Sequence, residues 1–310
     1  MVTDEHVSII YEPGSGYLGH VSPLSGSAEN IKNAICMFLT EFNINRSDIL
    51  AIGCDGTVIN TGNLGGVMCL LEKEFGRHLH WIVCQLHSNE LPLRHLIEKL
   101  DGTTSGPRGF SGPIGKSLAI CDQLPVINYK PIKSELPEVD REQLSTDQKF
   151  LFDISTAVST GEFPASLASK NPGKLSHARW LTTATTGEFP ASFASKNPGK
   201  LSHARWLTTA NRILRLYVST LNPSENLIEI ATFINKVYAP MWFTIKTKPK
   251  IKDAPFNLWK SIYLSRYLKK DLREIVDTTI QRNAFFAHAE SLLVAMITDE
   301  RRHIREQARQ

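Results

Sequence analysis

Disulfide frameworks, membrane spans and a strong charge of either sign are all missing from this sequence, and each gap excludes a class of protein. Five cysteines (Cys36, Cys54, Cys69, Cys84, Cys121) in 310 residues are an odd number, and four of them fall in runs that read as helix or strand. They fit reduced thiols in an intracellular protein, not the framework of a small secreted domain. No stretch approaches the roughly 18 apolar residues of a membrane span, and Met1–Tyr11 lacks the basic-then-apolar order of a signal peptide. A complete zinc site is missing too. Cys84 and His87 form C-x-x-H, but no second C-x-x-C or H-x-x-x-H pair accompanies them. Nucleotide binding also fails on spacing. Asp101–Lys116 holds five glycines and two prolines and ends in Gly115-Lys116-Ser117, yet Phe110 stands where the first glycine of a phosphate loop belongs and no strand precedes it.

The net charge of +4 is too small to point to nucleic acid by itself. Its distribution is uneven: residues 1–240 carry 21 basic against 23 acidic side chains, and residues 241–310 carry 14 against 8. A basic final third suits phosphate contacts or, equally, a solvated helical surface. A hydrophobic fraction of 42% and a charged fraction of 21% are those of a folded chain with a core.

What is present is organised around residues 50–95. Leu50–Cys54 is a short apolar run that stops at Asp55-Gly56, the pattern of a buried strand delivering a carboxylate to a loop. Val67, Leu70, Leu71 and Phe75 then recur at helical spacing. Trp81–Cys84 is a second apolar run, and the stretch after it, with Leu91, Leu93, Leu96 and Ile97, is amphipathic. Strand, helix, strand, helix predicts two parallel neighbours joined by a right-handed crossover.

Upstream, Glu5–Ile10 and Tyr17–Val21 flank the turn cluster Glu12-Pro13-Gly14-Ser15-Gly16 and predict a hairpin. Ser27 is placed to cap a helix whose apolar face is Ile31, Ile35, Phe38, Leu39 and Phe42. Downstream, residues 122–147 are rich in proline and charge and read as a linker before a segment at Phe150–Val158. Residues 160–185 and 186–211 are then near-identical, 24 of 26 positions matching, with differences only at Leu167/Phe193 and Thr185/Asn211. Solenoid repeats diverge more and come in larger numbers, so this is a tandem duplication, and the first copy reads as an exposed insertion. From Asn211 onward the chain reads as helices at 211–220, 223–238, 257–268, 269–281 and 284–308, with a basic, proline-interrupted segment at 244–256.

A strand ending in Asp55, an Asn-and-Gly turn, a strand running into Cys84-x-x-His87 and a Leu-rich helix together resemble the hAT superfamily of transposases and their domesticated relatives. Ala204-Arg205-Trp206 resembles the Arg-Trp pair that opens that family's helical insertion. The resemblance implies a partial ribonuclease-H-like α/β core, a mixed sheet with helices, at 1–121. A linker and short helix would follow at 122–159, the duplication, mostly loop, at 160–210 and an all-helical insertion region at 211–310. It also implies that the central first strand and its Asp precede this chain, leaving a gap between the hairpin and the Leu50 strand. The final Glu lacks a convincing match at Glu290 or Glu300.

The site residues follow from the same resemblance, each beside a structural alternative. Asp55 is a remnant catalytic carboxylate and Mg2+ ligand or an Asp-Gly turn cap, and Asn60 braces its loop. Cys84 and His87 support that loop; the other readings are a DNA contact by His87 and half a zinc site. Arg205 and Trp206 lie against DNA, where Trp206 stacks on a displaced base, or Trp206 packs at a helix start.

With one carboxylate where two metals need at least three, the expected function is binding without catalysis. The partner is DNA, a related full-length transposase or a second copy of this chain, with no membrane, no nucleotide and no cofactor, and a nuclear location. One alternative is an active transposase or nuclease with complete carboxylates and Mg2+. The other is a protein-interaction scaffold without a nucleic-acid role.

Overall fold

The computed structural model describes residues 6–11, 16–62, 64–104, 109–173, 205–248, 253–281, 293, 296–297 and 301–308. The chain is mixed α/β and forms two compact units, one of residues 1–84, 186–201 and 283–310, the other of residues 85–185 and 202–282. The division between Cys84 and Gln85 comes well before the boundary expected at 121. Residues 85–121 therefore belong with the helical unit.

In the first unit, β1 (Val7–Tyr11) and β2 (Gly16–Val21) form the expected antiparallel hairpin, its register slipping by one residue between Ile9 and Ile10. Helix α1 (Ala28–Glu41) starts as read: the Ser27 hydroxyl accepts the Asn30 amide at 3.3 Å. Phe38 of α1 lies against Gly19, where an added Cβ would come within 2.7 Å of the ring, so glycine lets helix and hairpin approach. Strand β3 (Ala51–Cys54), helix α2 (Val67–Phe75) and strand β4 (His80–Val83) follow. β3 and β4 are parallel, pairing Ala51 with His80 through Cys54 with Val83. Cys36, Val67 and Leu71 form the small core between α1 and α2, with Ile31, Ile35, Ile52 and Phe75 around it.

The expectation from the sequence is one mixed sheet. Among the described residues there are two separate two-stranded sheets, β1–β2 and β3–β4. Short strands of four to six residues define their own faces, but which edges meet is decided by non-local hydrogen bonds.

The second unit is helical: α3 (Gln85–Asp101), α4 (Thr146–Thr160), α5 (Arg205–Tyr217), α6 (Glu225–Phe233), α7 (Ala239–Thr247), α8 (Ala254–Leu264) and α9 (Lys270–Gln281). A π turn at Ile234–Tyr238 joins α6 to α7. Pro240 has no N–H to give the preceding turn, and widening the helix there absorbs the mismatch. Leu93, Leu96, Ile154, Ile213, Ile230 and Phe243 belong to one buried core.

The segment read as a linker is laced into this core. Ile132 N–H donates to Val158 O and Ile127 N–H to Val218 O, each at 3.0 Å. Tyr217 and Asn235 donate to Lys130 O and Ile132 O, each at 2.7 Å. A proline-rich segment without helix or strand leaves its backbone groups to be satisfied by neighbours, and here the helices supply those partners.

The first repeat copy is also corrected in part. Leu167 is buried at 2% exposure, and Gly173 O accepts the Arg212 Nε–H at 2.7 Å. Residues 160–173 are therefore anchored to the helical unit through Leu167, Pro172 and Gly173 although most of the stretch is exposed, while residues 174–204 lie outside the described set. Among the described residues no helix is long and apolar enough to cross a membrane.

Candidate functional site

Asp55 sits at the C-terminal end of β3, where the apolar run ends and the chain turns into the short helical turn Val58–Thr61. Its Oδ1 accepts three hydrogen bonds: from Thr57 N–H at 3.1 Å, Thr57 Oγ1 at 2.8 Å and Asn60 Nδ2 at 2.8 Å. This is the geometry of an Asx cap that ties the strand end to the following turn. Asn60 is the expected brace, its amide spent on the carboxylate itself.

The surroundings are soft, not hard. Cys54 is the residue before Asp55, and its thiol donates to Met68 Sδ at 3.3 Å. Burial pushes the Cys54 pKa up to about 12, with smaller contributions from the charges of Asp55 and Cys84. Cys84 continues the ladder, its N–H donating to Cys54 O at 2.9 Å. Mg2+ calls for an octahedron of oxygen ligands. Here Asp55 offers one carboxylate, its Oδ1 engaged by three donors, next to a protonated thiol rather than a further oxygen ligand. Among the described residues no group of three His, Cys, Asp or Glu side chains comes together to hold a metal. Glu290 and Glu300 lie outside the described residues.

The C-x-x-H pair is divided between the units. Cys84 closes the first and His87 stands on α3 of the second, where its Nδ1 lies 3.9 Å from Glu90 Oε2 one turn on. The Arg205 side chain lies outside the described residues. Trp206 does not present a ring for base stacking. It is 7% exposed and belongs to the helical core with Leu207, Ala210 and Ile213, so packing, the other reading of this residue, is what the structure shows. Every residue of α5 from Trp206 to Tyr217 is buried, and the aromatic at its start is buried with the rest.

The glycine-rich stretch shows why it resembled a phosphate loop. The backbone N–H groups of Ile114 and Gly115 open the short helix Pro113–Ser117 and point at an anion, as a phosphate site would. The anion is the chain's own Asp101, whose carboxylate oxygens accept them at 2.9 and 2.7 Å. A Cβ at Gly112 would run into Asp101 O, so glycine is required for that approach.

Two functional features of the fold escape a reading of the sequence. Arg212 and Arg215, one turn apart on α5, are buried at 6% and 2% exposure. Arg212 donates to Leu118 O at 2.6 Å as well as to Gly173 O, and Arg215 donates to Leu124 O at 2.6 Å and to Ser219 Oγ. Burial lowers the Arg215 pKa. These guanidiniums clamp irregular backbone to the helix, and the signal for them is a pair of arginines three apart in sequence among Ile213, Leu214, Leu216 and Tyr217. The second feature is α8, which turns its aromatic side chains outward: Trp259 and Tyr263 are 58% and 64% exposed. Compared with protein-family models, with curated proteins and with solved structures, the chain matches none.

Proposed function

We propose that this chain is a transposase-derived protein, of ribonuclease-H-like ancestry in its first unit, which performs no phosphodiester chemistry and acts by binding nucleic acid or a related protein chain. The observation that carries this reading is the Asp55 carboxylate: it stands where the family pattern puts a metal ligand, yet its Oδ1 is committed to Thr57 and Asn60. A carboxylate that caps a turn keeps its place in the chain after its role as a ligand is gone. The buried Trp206 moves any nucleic-acid contact away from the start of α5. A nuclear location follows from the same ancestry.

The test is cleavage of labelled duplex and hairpin DNA by the purified full chain with magnesium or manganese. Uncut DNA is expected. Cleavage that Asp55→Ala abolishes would overturn the reading in favour of an active metal-dependent nuclease.

A further inference from the structure

Helix α8 packs one face into its unit and leaves a row of large aromatic rings on the other. Its inward face mixes small, polar and apolar side chains: Ala254, Asn257 and Ser261 are buried, Ser265 just beyond its end is fully buried, and Leu258, Ile262 and Leu264 pack partly buried against the core. Asn257 Nδ2 donates to Gln85 Oε1 at 2.7 Å and to Lys248 O at 3.3 Å. Its outward face carries Phe256, Trp259 and Tyr263, which are 44%, 58% and 64% exposed and recur at i, i+3 and i+7. Fully burying a large apolar side chain is worth roughly 1.5–3 kcal/mol, so a row of three left in solvent marks a surface held for a partner.

The rings form an ordered ladder. Phe256 and Trp259 have centroids 6.0 Å apart, and Trp259 and Tyr263 stack at 5.5 Å with planes only 16° from parallel. Lys248 Nζ lies 5.0 Å from the Phe256 ring centroid. Lys260, between the rungs in sequence, donates to Thr244 Oγ1 at 3.0 Å. Arg266 and Lys269 are already engaged, by Asp277 and Glu229. From Met241 to Lys270 the chain carries eight Lys and Arg against one acidic residue, Asp253.

Exposed rings with parallel planes beside Lys248, in a segment rich in Lys and Arg, complement a polyanion with free π faces. We propose that the outer face of α8 is a stacking platform for single-stranded nucleic acid, with bases on Trp259 and Tyr263 and the backbone phosphate beside Lys248. Duplex DNA, whose bases are already stacked, cannot use the rings. This rests on the reading above that the chain acts by binding, and it names the partner and the surface.

The experiment measures anisotropy of labelled oligothymidylate, oligouridylate and a duplex with the full chain across a salt series. Both single strands are expected to bind more tightly than the duplex, and the stronger of the two identifies DNA or RNA as the natural strand. Trp259→Ala and Tyr263→Ala should each weaken single-strand binding roughly 5- to 100-fold with an unchanged melting temperature, since both side chains are exposed. Lys248→Gln should reduce the slope of log affinity against log salt by about 0.7. Single-strand binding that both ring substitutions leave intact, equal affinity for the duplex, or no binding overturns the proposal. So does self-association of the chain that Trp259→Ala abolishes in the absence of oligonucleotide binding, which would give the face to a protein. DNA cleavage lost in Asp55→Ala would overturn the earlier reading alone and leave this one standing.

Discussion

Two deletions in the duplicated region make almost the same chain and should behave differently. Removing residues 174–199 joins Gly173 to Lys200 and leaves one repeat with Leu167; removing 160–185 leaves one repeat with Phe193 in that place, and the two products are otherwise identical. Among the described residues, packing comes from the start of the first copy and the end of the second, and either product retains both. In both, the connection from Gly173, or its equivalent, to Arg205 falls from 31 residues to 5. Five residues reach at most about 17 Å. That suffices, because a Cβ built on Gly173 would lie 3.0 Å from Thr208, one helical turn past Arg205. Closing a free chain of 31 residues costs about 1.6 kcal/mol more than closing one of 5. At roughly 2–4 °C per kcal/mol for a unit of this size, the first deletion should raise the melting temperature by about 3–6 °C.

The second deletion gains the same entropy but places a phenylalanine where Leu167 is 2% exposed. Overpacking of a filled site costs about 1–3 kcal/mol, so this product should melt near or below the parent chain. Differential scanning calorimetry on the three proteins reads the order directly. Equal melting temperatures for the two deletions would show that the Leu167 site is not tightly packed. A fall on removing 174–199 would show that those residues contribute packing of their own.

Asp55→Ala should lower stability by about 1–2 kcal/mol, and Asp55→Asn by much less because the amide oxygen still accepts from Thr57 and Asn60. Urea denaturation distinguishes them, and equal losses would mean that charge rather than capping matters. Asp101→Ala leaves the buried Ile114 and Gly115 N–H groups without their acceptor and should cost about 2–3 kcal/mol by the same assay. Burial holds the Cys54 pKa at about 12, above the roughly 8.5 of a free thiol. Between these values the folded state binds more protons than the unfolded one, so stability falls as pH rises through that window, and Cys54→Ala should flatten the fall. An unchanged pH slope in that variant would refute the assignment.

Local pattern sufficed for the pieces of this fold. The hairpin, the Ser27 cap, the parallel β3–α2–β4 crossover and most helices follow from periodicity and capping chemistry, which act over a few residues and are written in consecutive letters. What long-range contact decides could not be read the same way. The hairpin and the β3–β4 pair share no edge, because edge pairing depends on which strands meet rather than on their composition. The proline-rich 122–145 segment has a loop's sequence but a core's hydrogen bonds, and its partners, Tyr217 and Asn235, come from helices at least 87 residues further along. Trp206 and Trp259 are both tryptophans on helices with an apolar stripe, yet one is 7% and the other 58% exposed. A stripe marks a helix face but not what covers it; for α5 the neighbouring helices do, while α8 packs through Asn257, Ser261, Leu258 and Ile262 and leaves its aromatic face outward.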